Sequence, residues 1–267
     1  MTDFDIDGGY APHVDVEVDG EVAIATLINP ARRNAISLGM WRELEAFAID
    51  ANGDPDVRAV LFRGADGTFC AGADISDFDE ARDGSDASRA YDDQLERTCL
   101  AVEAIRQPTV AQLEGPVVGA GAALAACCDL RVAAADAFVM VPAARLGLGY
   151  DPRGVARLAR TFGEPTAAWL LLTAGRLPAA RAFASGAVHE VAEEVDEAIE
   201  RLTARLAENA PLTMAAAKVA LRAVRDGTEP TLMDEAWRMA DLADASDDYA
   251  EGRAAFSQKR PPRFMGK

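Results

Sequence analysis

The stretch GPVVGAGAALAACCD, residues 115–129, decides how the rest of the chain is read. It opens on a Gly-Pro turn, passes through Gly119-Ala120-Gly121, and continues into small apolar residues suited to a buried helix. Glycines on both sides of Ala120 remove side chains and let another group approach the backbone closely. A helix that begins there presents unpaired N–H groups and the positive end of its dipole at the turn. Such an end stabilises a phosphate, or an oxygen that becomes negative during a reaction. Plain close helix packing would use the same glycines and alanines. This stretch alone leaves both readings open.

Composition narrows the partners. Half of the 267 residues are apolar, yet no apolar run approaches the roughly 18 residues of a membrane span, so a soluble chain with a sizeable core is expected. The start, MTDFDIDGGY, has neither a basic nor an apolar leader segment, and no secretory signal is expected. Lys plus Arg number 27 against 44 Asp plus Glu, a net −17, which argues against nucleic acid or an anionic membrane as partner. Cys70, Cys99, Cys127 and Cys128 do not form a disulfide framework, two being adjacent. The histidines are His13 and His189 alone, so no metal-ligand spacing exists. A cytoplasmic protein without cofactor or metal is the expectation.

Outward from the opening stretch, the chain alternates strands and helices. Val14, Val16 and Val18 alternate with acids, turn at Asp19-Gly20, and continue as VAIATLI, a hairpin pattern. Asn29-Pro30 stops that strand, and a loop carries Arg32 and Arg33. Ser37 has the chemistry of an N-cap for a helix with Leu38, Trp41, Leu44 and Ala48 on one face. RAVLFR (58–63) reads as a buried strand, followed by the glycine-rich loop GADGTFCAGADISDF. Eight carboxylates between residues 74 and 93 mark a solvated, mobile surface, before Tyr91, Leu95, Cys99, Val102 and Ile105 begin an amphipathic helix. TVAQLEG leads as a strand into residues 115–129. LRVAA, FVMV and residues 187–191 read as short strands. Helices follow Pro152, Pro165 and Pro178, each placing proline in a first turn. From about Glu194 the pattern is helical only, with further helices near Pro211 and Glu229, then the basic tail KRPPRFMGK. An α/β core over residues 1–193 and a helical region over 194–267 are predicted.

Three separated segments carry a resemblance. LINPARRNAIS (27–37), TFCAGADI (68–75) and EGPVVGAGAALAACCDLRVAA (114–134) resemble the signature segments of the crotonase superfamily, the enoyl-CoA hydratase/isomerase family. FGEPTAAWLLLTAGRLPAARAFASGAVHEV (162–191) and the ending AFSQKRPPRF agree in order and spacing. The resemblance implies a spiral of ββα units, a C-terminal helical trimerisation region, and a homotrimer or dimer of trimers. It implies an acyl-CoA thioester as substrate, with coenzyme A belonging to the substrate. It also implies that the N–H groups of Ala73 and Ala120 polarise the thioester oxygen, with Ala71, Gly72, Asp74, Ile75 and Gly119 around them. Arg32 and Arg33, and Lys259 and Arg260, match positions that approach coenzyme A.

The sequence also departs from the family pattern. Hydratases of the family use two glutamates, one three residues after the oxyanion donor and one after a later proline. This chain has Ala123 and Ala143 there, and a methyl group cannot move a proton. Relatives with other chemistry use an aspartate at the position of Asp151 or a tyrosine at that of Tyr150. Asp151-Pro152 also reads as a helix N-cap with proline at the first position, which would lower the carboxyl pKa. Glu114 fits the end of a strand, and Cys127 and Cys128 a buried helix. Two functions follow: an isomerase, lyase or altered hydratase acting through an oxyanion hole, or a non-catalytic acyl-CoA-binding protein. A dinucleotide fingerprint is excluded because Leu124 stands where a small residue is needed.

Overall fold

The computed structural model describes residues 11–74 and 85–267. Strands β1 (His13–Asp19) and β2 (Val22–Ile28) form the expected hairpin, paired antiparallel from His13↔Ile28 to Asp19↔Val22. Gly20 at its tip has φ +59, a conformation that side-chain-bearing residues rarely adopt. Strand β3 (Ala59–Gly64), β4 (Thr109–Leu113), β6 (Leu130–Ala134) and β9 (Glu190–Ala192) add in parallel to make a six-stranded sheet, β1-β2-β3-β4-β6-β9. A smaller sheet joins β5 (Pro116–Val118), β7 (Phe138–Met140) and β8 (Leu177–Pro178).

Side-chain alternation along the strands builds two cores, because successive residues point to opposite faces. Ala23, Ala25, Leu27, Val60, Phe62, Ala111 and Leu113 enter one core with the buried face of α1 (Leu38–Gly53). Ile24, Ala59, Leu61, Val110 and Val132 face the other way, where Val195, Ala198, Ile199 and Leu206 of α8 (Val195–Ala207) cover them. Ser37 caps α1 by accepting the Met40 N–H at 3.2 Å. Helix α2 (Ser85–Ala104) is tied to α1 by the Trp41 indole donating to the Tyr91 hydroxyl (3.1 Å) and Thr98 donating to the Trp41 carbonyl (2.8 Å).

Helix α3 (Ala120–Cys127) is entirely buried, as its small residues require. Short α4 (Ala143–Leu146), then α5 (Pro152–Phe162), α6 (Glu164–Thr173) and α7 (Ala179–Ala184) follow. The chain ends in α9 (Pro211–Arg225), α10 (Pro230–Asp244) and α11 (Asp247–Gln258).

Three sequence expectations are corrected. Helix α2 begins at Ser85 rather than near Tyr91, so it includes the end of the acidic segment, where Asp93 is exposed, while Tyr91 is buried as its place in the apolar stripe requires. Pro178 lies just outside α7 as its N-cap rather than in the first turn. The last strand falls at Glu190–Ala192, not 187–191. Helix α11 falls within the stretch read as helical only, distinct from the helix that opens near Glu229. Residues 75–84, including Ile75 and half of the eight carboxylates expected to be solvated, fall outside the described residues.

Candidate active site

Successive turns of the chain are laid side by side in parallel. Isolated bridges pair Ile36 with Ala73 and Cys70 with Val117, and β5 then pairs with β7 from Pro116↔Phe138 to Val118↔Met140. In the first bridge Ile36 makes both hydrogen bonds, donating to the Gly72 carbonyl and accepting the Asp74 N–H, each at 2.9 Å. Parallel pairing therefore turns the N–H of Ala73 away from that neighbour. Among the described residues that N–H meets no acceptor.

The second loop reaches a similar end by another route. Gly119 has φ 51 and ψ −103, accessible to glycine, and hands the chain into α3. Its own N–H donates to the Met140 carbonyl and its carbonyl accepts the Ala123 N–H, both at 2.9 Å. The N–H groups of residues 120–122 belong to the first helical turn and have no intrahelical partner. Ala120 is the first of them.

Residue Cys70 joins the two loops. Its N–H donates to the Pro116 carbonyl (3.0 Å) and its carbonyl accepts the Val118 N–H (2.9 Å). Its thiol contacts both the carbonyl (3.3 Å) and the N–H (3.4 Å) of Gly72. Burial pushes that thiol pKa up to about 12, so it is neutral and a packing group. Gly121 lies against it so closely that a Cβ on Gly121 would stand 2.7 Å from the Cys70 Cβ.

Both loops open on one cavity of ≈ 200 Å³. Ala71, Gly72 and Ala73 form one wall; Val118, Gly119, Ala120 and Ala123 form the next. Val141, Pro142 and Ala143 continue it, followed by Leu146, Leu148, Gly149, Tyr150, Asp151 and Gly154. Helix α2 closes the far side with Tyr91, Asp92, Leu95 and Glu96.

Asp151 reaches this cavity but is already engaged. It caps α5 by accepting the Arg153 N–H at 2.8 Å, and its carboxylate accepts the Arg153 guanidinium at 2.6 and 2.9 Å. The side-chain bond to Arg153 holds its pKa below the ordinary Asp range. Arg153 also binds Asp93 on α2 at 3.0 Å. Tyr150 packs its ring on Gly154, where a Cβ would fall 2.8 Å from Cε1. Burial raises the phenol pKa, so the hydroxyl stays protonated near neutrality.

The wall carboxylate Glu96 accepts both terminal nitrogens of Arg157 at 3.1 Å. Arg157 is 2% exposed and also donates to Glu103 at 2.8 Å. Arg160 and Arg225 converge on Glu103 from 3.2 and 3.3 Å. The network fastens the cavity wall on α2 to α5 and α9.

Other sequence-predicted residues fall elsewhere. Asp74 is 4% exposed, accepts the Asn29 amide at 3.0 Å, and is not among the described residues of the cavity wall. Arg32 and Arg33 are exposed on the loop whose Arg33 carbonyl accepts the Ala71 N–H at 3.0 Å, beside the cavity but not in its wall. Lys259 and Arg260 do not line it within the single chain, and Arg260 is bound to Glu251 at 2.6 and 2.7 Å. Glu114 directly follows β4, and its carbonyl accepts the Phe69 N–H at 2.8 Å. Asp92 and Glu96 were missed. They are four residues apart on one helix face, but nothing in the sequence distinguishes a cavity-facing stripe from a solvated one.

The spiral of parallel strips with a cavity at two glycine-flanked turns defines a class of α/β protein. The match to the enoyl-CoA hydratase/isomerase family model covers residues 17–267. The chain belongs to that family, within the crotonase superfamily. It is 36% identical over 244 residues to the Mycobacterium tuberculosis protein named "Probable enoyl-CoA hydratase echA6", covering 90% of this chain and 94% of the relative. A solved enoyl-CoA hydratase/carnithine racemase from Magnetospirillum magneticum superposes with TM-score 0.89 at 32% identity, covering 95% and 96% of the two chains. Pseudomonas aeruginosa AtuE superposes with TM-score 0.86 at 36% identity, covering 95% and 99%.

Proposed function

We propose that this protein binds an acyl-CoA thioester with its carbonyl oxygen between the N–H groups of Ala73 and Ala120. One observation carries the reading: two amides that meet no acceptor among the described residues belong to the wall of one largely apolar cavity. As an enolate or tetrahedral adduct forms, the oxygen gains charge, and a preorganised donor contributes about 3–4 kcal/mol to the transition state. Coenzyme A enters as part of the substrate, its phosphates met by Arg32 and Arg33. Exposed Leu221, Trp237 and Phe256 on the C-terminal helices support a trimer or dimer of trimers, in which a neighbour's Lys259 and Arg260 approach the cofactor portion.

The chemistry differs from two-carboxylate hydration. Methyl groups of Ala123 and Ala143 stand on the wall where the family's hydratases carry acid and base, and they transfer no proton. Asp151, already ionised and paired with Arg153, acts as a fixed charge rather than a base. The neutral phenol of Tyr150 is the group suited to deliver a proton to an enolate. The set fits isomerase- or lyase-type chemistry. The same two methyl groups and the engaged Asp151 support a second reading, a non-catalytic acyl-CoA-binding protein.

Calorimetric titration with saturated and enoyl thioesters from butanoyl to palmitoyl, with parallel absorbance and product mass spectrometry, tests both. Turnover that Tyr150→Phe abolishes while leaving affinity intact is the expected result. Binding without conversion across the panel replaces it with the second reading, and no binding by any thioester refutes both.

A further inference from the structure

Helix α5 carries a glycine where its backbone does not require one. Gly154 is the third residue of that helix and lies outside the positive-φ region that Gly119, Gly147 and Gly163 occupy. Alanine is the better helix former, so glycine here weakens the helix unless bare backbone serves a neighbour. That neighbour is the Tyr150 ring. A Cβ built on Gly154 would stand 2.8 Å from Cε1, 3.5 Å from Cδ1 and 3.6 Å from Cζ of the ring. Carbon atoms ordinarily rest about 3.5–4.0 Å apart, so the hydroxyl-bearing end of the ring occupies the space a side chain would fill. The backbone beside the ring is held. Asp151 caps α5 by accepting the Arg153 N–H, and its carbonyl accepts the Val155 N–H at 3.0 Å. The Arg153 guanidinium then ties Asp151 to Asp93 on α2. A methyl group at 154 is therefore relieved by turning the Tyr150 side chain away from α5. Both residues belong to the cavity wall, so that turn moves the phenol within the site.

We infer that Gly154 is a positioning residue, whose bare backbone seats the Tyr150 ring and fixes where its hydroxyl stands in the cavity. The inference rests on the reading of Tyr150 as proton donor above, and adds the residue that aims that donor. Delivery of a proton demands hydrogen-bond reach between donor and acceptor. A side chain at 154 would drive the ring edge back by about 1 Å, and a misplacement of that size costs about a hundredfold in rate. The group that yields is the end of a side chain rather than backbone, so the fold survives the change. The helix thus gives up alanine's stability at one position in its first turn, and the phenol gains a fixed seat.

Gly154→Ala, Tyr150→Phe and Tyr150→Ala, singly and with Gly154→Ala added to each tyrosine variant, are compared in the full-length protein. Tyrosinate absorbance during alkaline titration, taken as the difference from Tyr150→Phe, isolates the Tyr150 hydroxyl. Burial keeps that hydroxyl protonated beyond the ordinary tyrosine value of about 10. In Gly154→Ala its ionisation is expected to fall back toward that value as the ring lifts from α5. For whichever thioester of the butanoyl-to-palmitoyl panel the parent turns over, kcat should fall about a hundredfold with KM nearly unchanged. Gly154→Ala should cost nothing further in the residual activity of Tyr150→Phe. Melting temperature reads the packing: Gly154→Ala should raise it where Tyr150→Ala has removed the ring, and raise it less or not at all where the ring is present. An unchanged titration, an equal melting gain in both backgrounds, or an equal loss of turnover with and without the hydroxyl overturns the inference and leaves acyl-CoA binding intact. Turnover that survives Tyr150→Phe, or none by the parent, overturns the donor reading and the positioning role with it. The titration and melting comparisons need no substrate, which keeps that failure distinct from a ring that Gly154 does not seat.

Discussion

Gly121→Ala probes the geometry on which the site depends. A Cβ built there lies 2.7 Å from the Cys70 Cβ, 2.9 Å from its carbonyl oxygen and 3.1 Å from its sulfur. Ordinary carbon contacts stand at about 3.5–4.0 Å, so α3 and the 70–73 loop must separate by about 1 Å. Cys70 cannot simply yield, since its N–H and carbonyl are bonded to Pro116 and Val118. The separation falls between the two loops that carry Ala73 and Ala120. Overpacking costs about 1–3 kcal/mol, and alanine in a helix returns about 1 kcal/mol relative to glycine. The net is about 0–2 kcal/mol, a melting-temperature loss of at most about 8 °C for a chain of this size. Misplacing binding groups by about 1 Å costs about a hundredfold in function. The variant should therefore remain folded while losing the carbonyl-specific part of its binding. The assay compares hexanoyl-CoA with S-hexyl-CoA, a thioether that lacks the carbonyl. In the parent the thioester should bind tighter, and in Gly121→Ala the two should converge. Gly53→Ala, at an open position at the end of α1, serves as control. Undiminished preference for the thioester in Gly121→Ala would refute the claim that Cys70 and Gly121 set the spacing of the donor loops.

Three further outcomes follow from the same coordinates. Arg157→Ala leaves the half-buried Glu96 without its guanidinium and takes from Glu103 one of three, the Arg160 and Arg225 contacts remaining, and should destabilise by up to about 3–5 kcal/mol, read as a fall in melting temperature; a change near zero would show that the pair does not persist in solution. Asp151 has a folded pKa below its unfolded value, so its stabilisation is present above the ordinary Asp range and lost as pH falls through the lower value. Asp151→Asn should therefore lower the melting point at neutral pH but not at strongly acid pH, and no limb of a pH–rate profile between about pH 5 and 9 should belong to Asp151. Burial raises the Glu114 pKa, which reverses the sign: its ionisation opposes folding as pH rises through the folded value. Glu114→Gln should raise the melting point at neutral pH, with the gain vanishing at acid pH; a uniform gain across pH would point to a cause other than charge.

Local signals were the legible ones. The β1–β2 hairpin, the Ser37 cap, the proline-opened helices α5 and α9, and the buried α3 all depend on residues close in sequence, where turn chemistry and periodicity act. The short strand β5 hid inside the opening stretch because its pairing partners lie elsewhere, at Cys70 and on β7. Helix α2 began earlier than its apolar stripe because acidic residues are tolerated in a first helical turn. Asp74 was read as facing substrate, yet it turns inward to Asn29, a contact spanning 45 positions.

By itself the sequence determined where the chain can expose bare backbone: glycines at 72 and 119, alanines at 73 and 120, and no carboxylate at 123 or 143. Those are properties of residue type, fixed before folding. Only the tertiary structure decided which amides lack an acceptor, which carboxylates face the cavity, and that Arg153 engages Asp151. Such choices are made by groups distant in sequence meeting at a few ångströms, and hydrogen bonding and charge are settled at that range.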